Sequence, residues 1–281
     1  MKGVKRKIPA LAIFNLLSLL LHISFSYLTQ FKLINTLDVG QVSNKYNSIF
    51  TPSGITFAIW GIIYAALLLF CIYHIVMAYR HAVNHPANED VRRIGGWFIL
   101  NNLGAAAWLL AWTNEMIAAS LGLIIFQLIT LIVINLRIDI HNPLRTIASK
   151  IFTQFPMSIY FGWLTIATIA NTSIYLMASG WDGFGYTPIY WTRIMIGIAV
   201  FLTALVVFIR RNVFYGFVII WALYGIILKR QSEDVYVYAS VIKTAWIGLG
   251  IVGLICLIQF VKNIGTKKNP SVFPKAISPG E

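Results

Sequence analysis

The sequence predicts an all-α, polytopic membrane helix bundle with about eight transmembrane helices. Of the 281 residues, 58% are hydrophobic and only 11% are charged, and the mean hydropathy is +0.76. A soluble globular protein carries about 25% charged residues, so this composition excludes an ordinary soluble domain. The apolar residues also form long uncharged runs, close to the roughly 20 residues that a helix needs to cross the hydrocarbon core.

The basic residues lie at the ends of these runs. The net charge of +13 therefore does not indicate nucleic-acid binding, which would need basic residues clustered on a soluble domain. When the N-terminus is placed in the cytoplasm, sixteen of the 22 Lys and Arg residues fall on the cytoplasmic side. Because an excess of Lys and Arg marks the cytoplasmic side, we predict a multi-pass protein of the plasma membrane with both termini cytoplasmic.

Eight spans follow from the apolar runs. They are Ile8–Thr29, Ile55–Tyr79, Trp97–Trp112, Ile117–Leu136, Phe155–Ala178, Trp191–Ile209, Asn212–Leu228 and Tyr238–Phe260. The first is too long for the apolar region of a secretory signal and no small-x-small cleavage site follows it, so we expect it to be retained. A six-span protein with a re-entrant or peripheral last pair stays open, because Lys229 and Arg230 fall on the outer side.

The first and longest outer loop, residues 30–53, is polar. Its length suits a lid over an outward-facing cavity, although a simple solvated connector is equally compatible with its length. The loop ends at Thr51-Pro52-Ser53-Gly54. This tetrapeptide predicts a helix start, because Pro fits the first turn and Ser or Thr caps it.

The fifth span, Phe155–Ala178, carries no charged residue, and one of its faces is polar and aromatic. Tyr160, Trp163, Ala167 and Asn171 recur at spacings of three or four residues, which places them on one side of a helix. Lipid cannot hydrogen-bond an amide, so we expect Asn171 to face other helices or a ligand.

Spans two and three repeat this chemistry. The second presents Phe57, Trp60, Tyr64 and Cys71 along one side, and the third presents Asn101, Ala105, Trp108 and Trp112. Three such faces would enclose a flat apolar ligand. The alternative is tight interhelical packing, which periodicity by itself favours, since small residues and Asn also serve as contact points between membrane helices.

Three motifs carry a resemblance to a known family. The fifth span contains Trp163-x3-Ala167-Thr168-x2-Asn171, which resembles the fifth-helix signature of the TspO/MBR family, the tryptophan-rich sensory proteins related to the mitochondrial translocator protein. The second span adds Pro52-x7-Trp60-x3-Tyr64, similar to the family's proline-containing entry into helix two, and the third adds Asn101 followed by Trp108 and Trp112. The motifs occur in the family's order over residues 8–180.

The chain also departs from the family pattern. Ala105 stands where the family has an asparagine, and the usual double proline is Thr51-Pro52. The chain continues for three helices beyond the family's five-helix core. We therefore predict a core over residues 1–180, three added helices over residues 181–263 and a disordered cytoplasmic tail over residues 264–281.

The resemblance implies a cavity near the outer end of the bundle, closed by the first loop, that binds tetrapyrroles such as protoporphyrin or haem, or sterol-like lipophiles. It places Trp60, Tyr64, Trp108, Trp163, Ala167 and Asn171 on the cavity wall. The helix faces described above add Pro52, Phe57, Asn101, Trp112 and Tyr160. Stacking aromatic rings suit a flat apolar molecule. No cofactor is required, and bound porphyrin or haem is the ligand expected by analogy.

We predict a protein that binds a lipophilic ligand of the tetrapyrrole or sterol type, in a sensory, regulatory or transport-related role. Its partners are that ligand and membrane lipids, and small residues on several helix faces permit a homodimer. The alternative is a permease for a small lipophilic molecule, for which only His22, His74 and Lys243 offer ionisable groups within the spans. We predict neither an enzyme nor a metal site, because no span carries a carboxylate pair, a metal-ligand cluster or a nucleophile beside a base.

Overall fold

The computed structural model describes residues 2–46, 48–140, 142 and 145–268, and within them every regular element is helical. The elements are α1 (Lys2–Gln30), α2 (Val39–Lys45), a 3₁₀ turn (Gly54–Ala58), α3 (Ile59–Arg80), α4 (Pro86–Ile94), α5 (Trp97–Thr113), α6 (Ile117–Arg137), α7 (Ile147–Ser149), a π-helical turn (Lys150–Gln154), α8 (Phe155–Ala178), a 3₁₀ turn (Gly183–Gly185), α9 (Pro188–Arg210), α10 (Val213–Glu233) and α11 (Ala239–Lys268). The predicted all-α membrane bundle is confirmed.

Five of the long helices form a closed ring. Going round it, α1 packs on α3, α3 on α8, α8 on α6, α6 on α5, and α5 returns to α1. The helices α3, α6 and α9 end at Arg80, Arg137 and Arg210, which share one end of the bundle with the start of α1. We call this end the basic end. The opposite end carries α2 and is called the lid end.

The last three helices form a second group. Here α9, α10 and α11 pack on one another, and α10 and α9 dock on α8. Helix α8 therefore belongs to both groups: Tyr160 and Trp163 lie in the hydrophobic core of the ring, whereas Ile166 lies in the core shared with α10. The stretch that carries the clearest sequence signature is thus the helix on which both groups are built.

In the described part of the chain, seven helices are long and apolar enough to cross a membrane, and the bent pair of α4 and α5 makes eight when it is counted as one span. The bend of 53° lies at Gly95, whose φ of 57° suits a residue without a Cβ. The predicted bounds of the fifth span agree with α8, but α11 runs to Lys268, beyond the predicted end at Phe260. Five residues of the predicted tail are therefore helical, and residues 269–281 lie outside the described part.

The position of Lys229 and Arg230 at the lid end has a structural reason. Lys229 Nζ donates to Asn44 Oδ1 on α2 at 3.2 Å, while Arg230 is fully buried, pairs with Glu233 and lies 4.9 Å from the centre of the Tyr238 ring. Both cations are held by protein contacts. Helix α10 is also the most buried of the long apolar helices, which favours a full span over a peripheral one.

The same helix holds the turn that leads into α3. The amide N–H of Ser53 donates to the carbonyl oxygen of Gly225 at 3.0 Å, and the Trp221 indole N–H donates to the carbonyl of Thr56 at 2.9 Å. Thr56 lies so close to α10 that a Cβ built on Gly225 would stand 2.0 Å from its hydroxyl oxygen. The second helix group therefore positions the start of α3.

Candidate functional site

A cavity of about 420 Å³ lies inside the five-helix ring, towards the lid end. Its lining residues are His22, Ser26, Tyr27 and Gln30 from α1; Asp38, Val39, Gly40 and Asn44 from the lid; Pro52, Gly54, Phe57, Trp60, Gly61 and Tyr64 from the turn and α3; Ala105, Trp108 and Leu109 from α5; Ile124 and Gln127 from α6; and Trp163, Leu164 and Ala167 from α8. All five ring helices contribute to one space, which opens towards the lid.

Aromatic rings form much of the wall and support one another. Trp60 stacks on Tyr64 with ring centres 5.2 Å apart and meets Trp163 edge-on at 6.2 Å. The Phe57 ring meets the Trp163 ring edge-on, with ring centres 5.7 Å apart. Edge-to-face and offset pairs at these distances are mutually stabilising, so the wall is held in place before any ligand binds.

Two indole groups in this wall lack a hydrogen-bond partner. The Nε1–H groups of Trp108 and Trp163 are buried and find no acceptor among the described residues. A buried donor without an acceptor costs about 1–3 kcal/mol. Both side chains line the cavity.

His22 presents a ring nitrogen with a lone pair to this region. Its Nδ1 lies 3.2 Å from Asn102 Oδ1, and Asn102 already uses its Nδ2–H₂ group to donate to the Phe98 carbonyl at 2.9 Å. The oxygen of Asn102 must therefore accept, so Nδ1 of His22 carries the proton and Nε2 carries the lone pair. The only described contact of Nε2 is a long one, 3.4 Å to the Tyr64 hydroxyl.

His74, the other histidine considered from the sequence, lies outside the cavity. Its Nδ1 is 3.1 Å from the Ala87 carbonyl and its Nε2 is 3.1 Å from the Thr153 hydroxyl. Both ring nitrogens are engaged, so this side chain is a packed structural histidine that joins α3 to α4 and to the π-helical turn. Lys243 is exposed on α11, as expected for a side chain that reaches towards the membrane surface.

The first loop covers the cavity, as the lid interpretation predicted. Its helix α2 starts with a capping box in which Asp38 accepts from Gln41 N and the Gln41 side chain accepts from Asp38 N. The Trp112 indole N–H donates to the Val39 carbonyl at 3.1 Å and ties the start of α2 to α5. At the other end, Lys45 Nζ lies 2.6 Å from Glu115 Oε2. The lid is thus fastened to α5 and to the turn that follows it.

Removal of the Lys45–Glu115 pair is expected to loosen the lid. The hydrogen bond from Lys45 lowers the pKa of Glu115, and the same bond raises the pKa of Lys45. The pair therefore stabilises the closed lid above the ordinary carboxyl pKa and is lost as the pH falls through the lowered value. It is also lost at high pH, as the pH rises through the raised Lys45 value.

Hydrogen exchange at the amides of α2 checks this prediction. Because exposed ion pairs are weak, Glu115→Gln should reduce the protection factors at neutral pH only about two- to five-fold. In acid, the protection factors of the wild-type α2 amides should fall to the level of the Glu115→Gln variant. Glu89→Gln removes a comparable pair with Arg92 and Arg93 on α4 and should leave α2 unchanged. If the amides of α2 are protected equally in Glu115→Gln and Glu89→Gln, the Lys45–Glu115 pair does not hold the lid closed.

Seven of the predicted site residues line the cavity: Pro52, Phe57, Trp60, Tyr64, Trp108, Trp163 and Ala167. The structure therefore brings together the faces of spans two, three and five. The other four predicted residues, Asn101, Trp112, Tyr160 and Asn171, do not line it.

Each of these four has another place in the structure. Asn101 Nδ2 donates to the Gln127 carbonyl and to Thr130 on α6, and Asn171 Oδ1 accepts from Ser120 on α6. The two amides join neighbouring helices, as the packing alternative proposed. Trp112 lies under the lid, and Tyr160 is fully buried behind Trp60, 6.0 Å from its ring.

The sequence interpretation missed the contribution of α1. Four polar residues of this helix, Asn15, Ser18, His22 and Ser26, follow one another at spacings of three, four and four. This stripe is the signal that would have placed α1 on the cavity, because it predicts an inward polar face. Gln127 was missed because the run around it, Ile117–Leu136, is almost wholly aliphatic and shows no polar face, yet the Gln127 side chain is buried.

Comparisons with known proteins give one family. The profile of a family described as TSPO-like protein matches residues 12–258. The match includes all five ring helices and continues through α9 and α10 into α11. No curated protein and no solved structure gives a significant match. Because the matched range covers well over half of the chain, this multi-pass membrane protein belongs to the TSPO-like protein family.

Proposed function

We propose that the protein binds a flat lipophilic molecule of the tetrapyrrole or sterol type in the ring cavity, in a sensory, regulatory or transport-related role. The observation that carries the proposal is the pair of buried indole N–H groups of Trp108 and Trp163, which have no partner among the described residues and belong to a wall rich in aromatic rings. Such a wall suits a ligand with apolar faces and with oxygen acceptors at its edge. Membership in the TSPO-like family supports the same ligand class.

The size and polarity of the cavity support this ligand class. Its volume of about 420 Å³ lies within the roughly 300–1,000 Å³ of small-molecule sites, which are mostly apolar with a few placed polar groups. Trp60, Tyr64 and Trp163 provide ring faces and edges against which a planar molecule packs. A carboxylate or hydroxyl oxygen on the ligand would accept from the two indoles.

The residues present also fit an iron porphyrin. His22 Nε2 carries its lone pair at the cavity wall, and an iron atom would have to replace the Tyr64 hydroxyl, 3.4 Å away, to bind there. No Lys or Arg is among the lining residues that the structure describes, so the acidic groups of a porphyrin would lie at the mouth. There Lys32 is 3.9 Å from Asp38, and Lys45 pairs with Glu115.

The topology of the charges leads us to propose that the basic end faces the cytoplasm of a plasma-membrane protein and the lid end faces outward. A ligand would then enter from the outer side, past α2. Chemical modification of a cysteine introduced at exposed Asn114, beside the lid, tests this orientation in intact cells. Labelling by a membrane-impermeant reagent supports it, and labelling only after lysis contradicts it.

Ligand titration of the detergent-purified full chain tests the proposal. Protoporphyrin should quench the tryptophan emission in a saturable way with one site per chain, and a sterol of similar size should compete for the site. A quench that rises linearly without saturation, or no quench, would overturn it. Uptake of a labelled lipophile into proteoliposomes separates simple binding from the permease alternative.

A further inference from the structure

A second cavity, of about 360 Å³, lies at the basic end between the ring and the last helices. It is bounded by α6, α8, α9 and α10, and none of its described lining residues belongs to the ring cavity. We call it the junction groove. The packing of α9 and α10 beside α6 and α8 forms this groove.

The inner part of the groove is apolar. Leu128 and Ile132 of α6, Phe161 of α8, and Leu202 and Val206 of α9 form its walls. From Leu202 to Arg210 the groove follows α9 over a rise of ~12 Å, at about 1.5 Å per residue. A slot of this depth, open at the membrane surface, suits part of one acyl chain.

Two polar atoms in the wall have no hydrogen-bond partner among the described residues. Asn135 donates its Nδ2–H₂ group to the Leu131 carbonyl at 2.8 Å, but its Oδ1 is buried without a donor. Asn212 accepts the Tyr215 amide N–H at 3.2 Å through Oδ1, but its Nδ2 is buried without an acceptor. The two side chains are 7% and 5% exposed. One unpaired acceptor and one unpaired donor in an apolar slot indicate an amphiphilic ligand that offers both groups.

A cation stands at the mouth. Arg210, the last residue of α9, lines the groove, is exposed, and has no hydrogen-bond or ion-pair partner among the described residues. The next residue, Arg211, adopts a left-handed φ of 54°, which reverses the chain directly into α10. This short reversal keeps Arg210 and Asn212 on the same groove. Arg210 is the one charged residue among the described lining residues.

We propose that the junction groove binds one anionic glycerophospholipid from the leaflet at the basic end. An acyl chain fills the apolar slot, and the phosphate pairs with the Arg210 guanidinium. Asn212 Nδ2 donates to an ester carbonyl, and Asn135 Oδ1 accepts from a headgroup hydroxyl, which favours a glycerol headgroup over choline. Basic pockets between membrane helices recognise anionic headgroups in this way. The site is independent of the ring cavity and of its ligand.

Native mass spectrometry of the full chain, released from mixed phosphatidylglycerol and phosphatidylcholine micelles, tests the proposal. Wild type should retain one phosphatidylglycerol in preference to phosphatidylcholine. Arg210→Gln should reduce this preference about five-fold, the effect of one basic side chain near an anionic lipid. Lys262→Gln removes the same charge from the same end of the bundle, outside the groove, and should leave the preference unchanged.

A second variant tests the slot itself. Val206→Trp fills the groove without changing charge, and it should abolish retention of the lipid. An unchanged thermal unfolding temperature in lipid-free detergent would establish that this variant folds. If Arg210→Gln and Lys262→Gln lose the preference for phosphatidylglycerol equally, the lipid responds to the general positive charge of the basic end. That result would overturn the proposal. Full retention in Val206→Trp, or a dimer that covers the groove in place of lipid, would also overturn it.

Discussion

Replacing Gly225 with alanine is expected to destabilise the protein strongly, by about 3 kcal/mol, at the upper end of the cost of overpacking. The added Cβ would stand 2.0 Å from the Thr56 hydroxyl oxygen and 3.0 Å from Cβ of Pro52. Thr56 has little freedom to give way, because its backbone carbonyl accepts from Trp221 and its hydroxyl contacts Ser53 Oγ at 3.1 Å. Helix α10 would have to move away from the turn that starts α3.

Thermal unfolding of the detergent-purified protein measures this effect, and Gly250→Ala is the matched control. Gly250 also lies within a long helix, α11, but a Cβ built there meets nothing within 4 Å. Because alanine is the better helix former, the control should be neutral or stabilising by up to about 1 kcal/mol. Equal shifts in the same direction for the two variants would contradict the close docking of α10 on the turn.

Replacing Trp163 with alanine is expected to weaken protoporphyrin binding about ten- to hundred-fold. The substitution removes one ring from the wall and one of the two unpartnered indole donors, and each of these is worth about 0.5–1.5 kcal/mol. It also removes the edge-to-face contacts that the Trp163 ring makes with Trp60 and Phe57. The porphyrin absorption band is the appropriate signal, since the variant changes the tryptophan emission itself.

Trp246→Ala is the control for this loss. Trp246 is 47% exposed on α11 and lies outside the ring cavity, so its removal should leave the dissociation constant unchanged. If the Trp163 and Trp246 variants bind protoporphyrin equally well, the ligand does not use the aromatic wall. The quench by protoporphyrin would then report adsorption to the apolar surface of the protein.

The fold was largely predictable from the sequence, because hydropathy and charge are strong signals over a length of 20 residues. The predicted bounds of the fifth span, Phe155–Ala178, are those of α8, although the π-helical turn before it extends the same helix backwards. The ends of α11 and the bend between α4 and α5 were less predictable. A helix that leaves the membrane keeps its backbone hydrogen bonds, so its end is set by capping and contacts and not by hydropathy.

The site was predictable as a set of helix faces but not as a set of atoms. Periodicity places Asn101 and Trp108 on one side of α5, yet it does not say which neighbour each one meets. Asn101 meets α6, seven residues from Trp108 and nearer the basic end, where the helices are in contact. Trp108 lies at the height where the ring encloses the cavity.

The lid and α1 illustrate two further limits. The contact between Trp112 and Val39 joins residues far apart in the chain, and no local pattern encodes it. The polar stripe of α1, by contrast, was present in the sequence and predicts His22 at the wall. The junction groove is a third case, because it depends on how two helix groups dock, which single-helix periodicity does not contain.

The central claim is that the ligand binds inside the ring and not on its surface, and a cavity-filling variant tests it most directly. Ala167 lines the cavity, so Ala167→Phe should fill it while every tryptophan remains. Ala119 is exposed on α6, and Ala119→Phe adds the same ring outside. In a protoporphyrin titration, Ala119→Phe should bind as wild type does and Ala167→Phe should lose saturable binding. Wild-type binding by Ala167→Phe would show that the ligand occupies some other place.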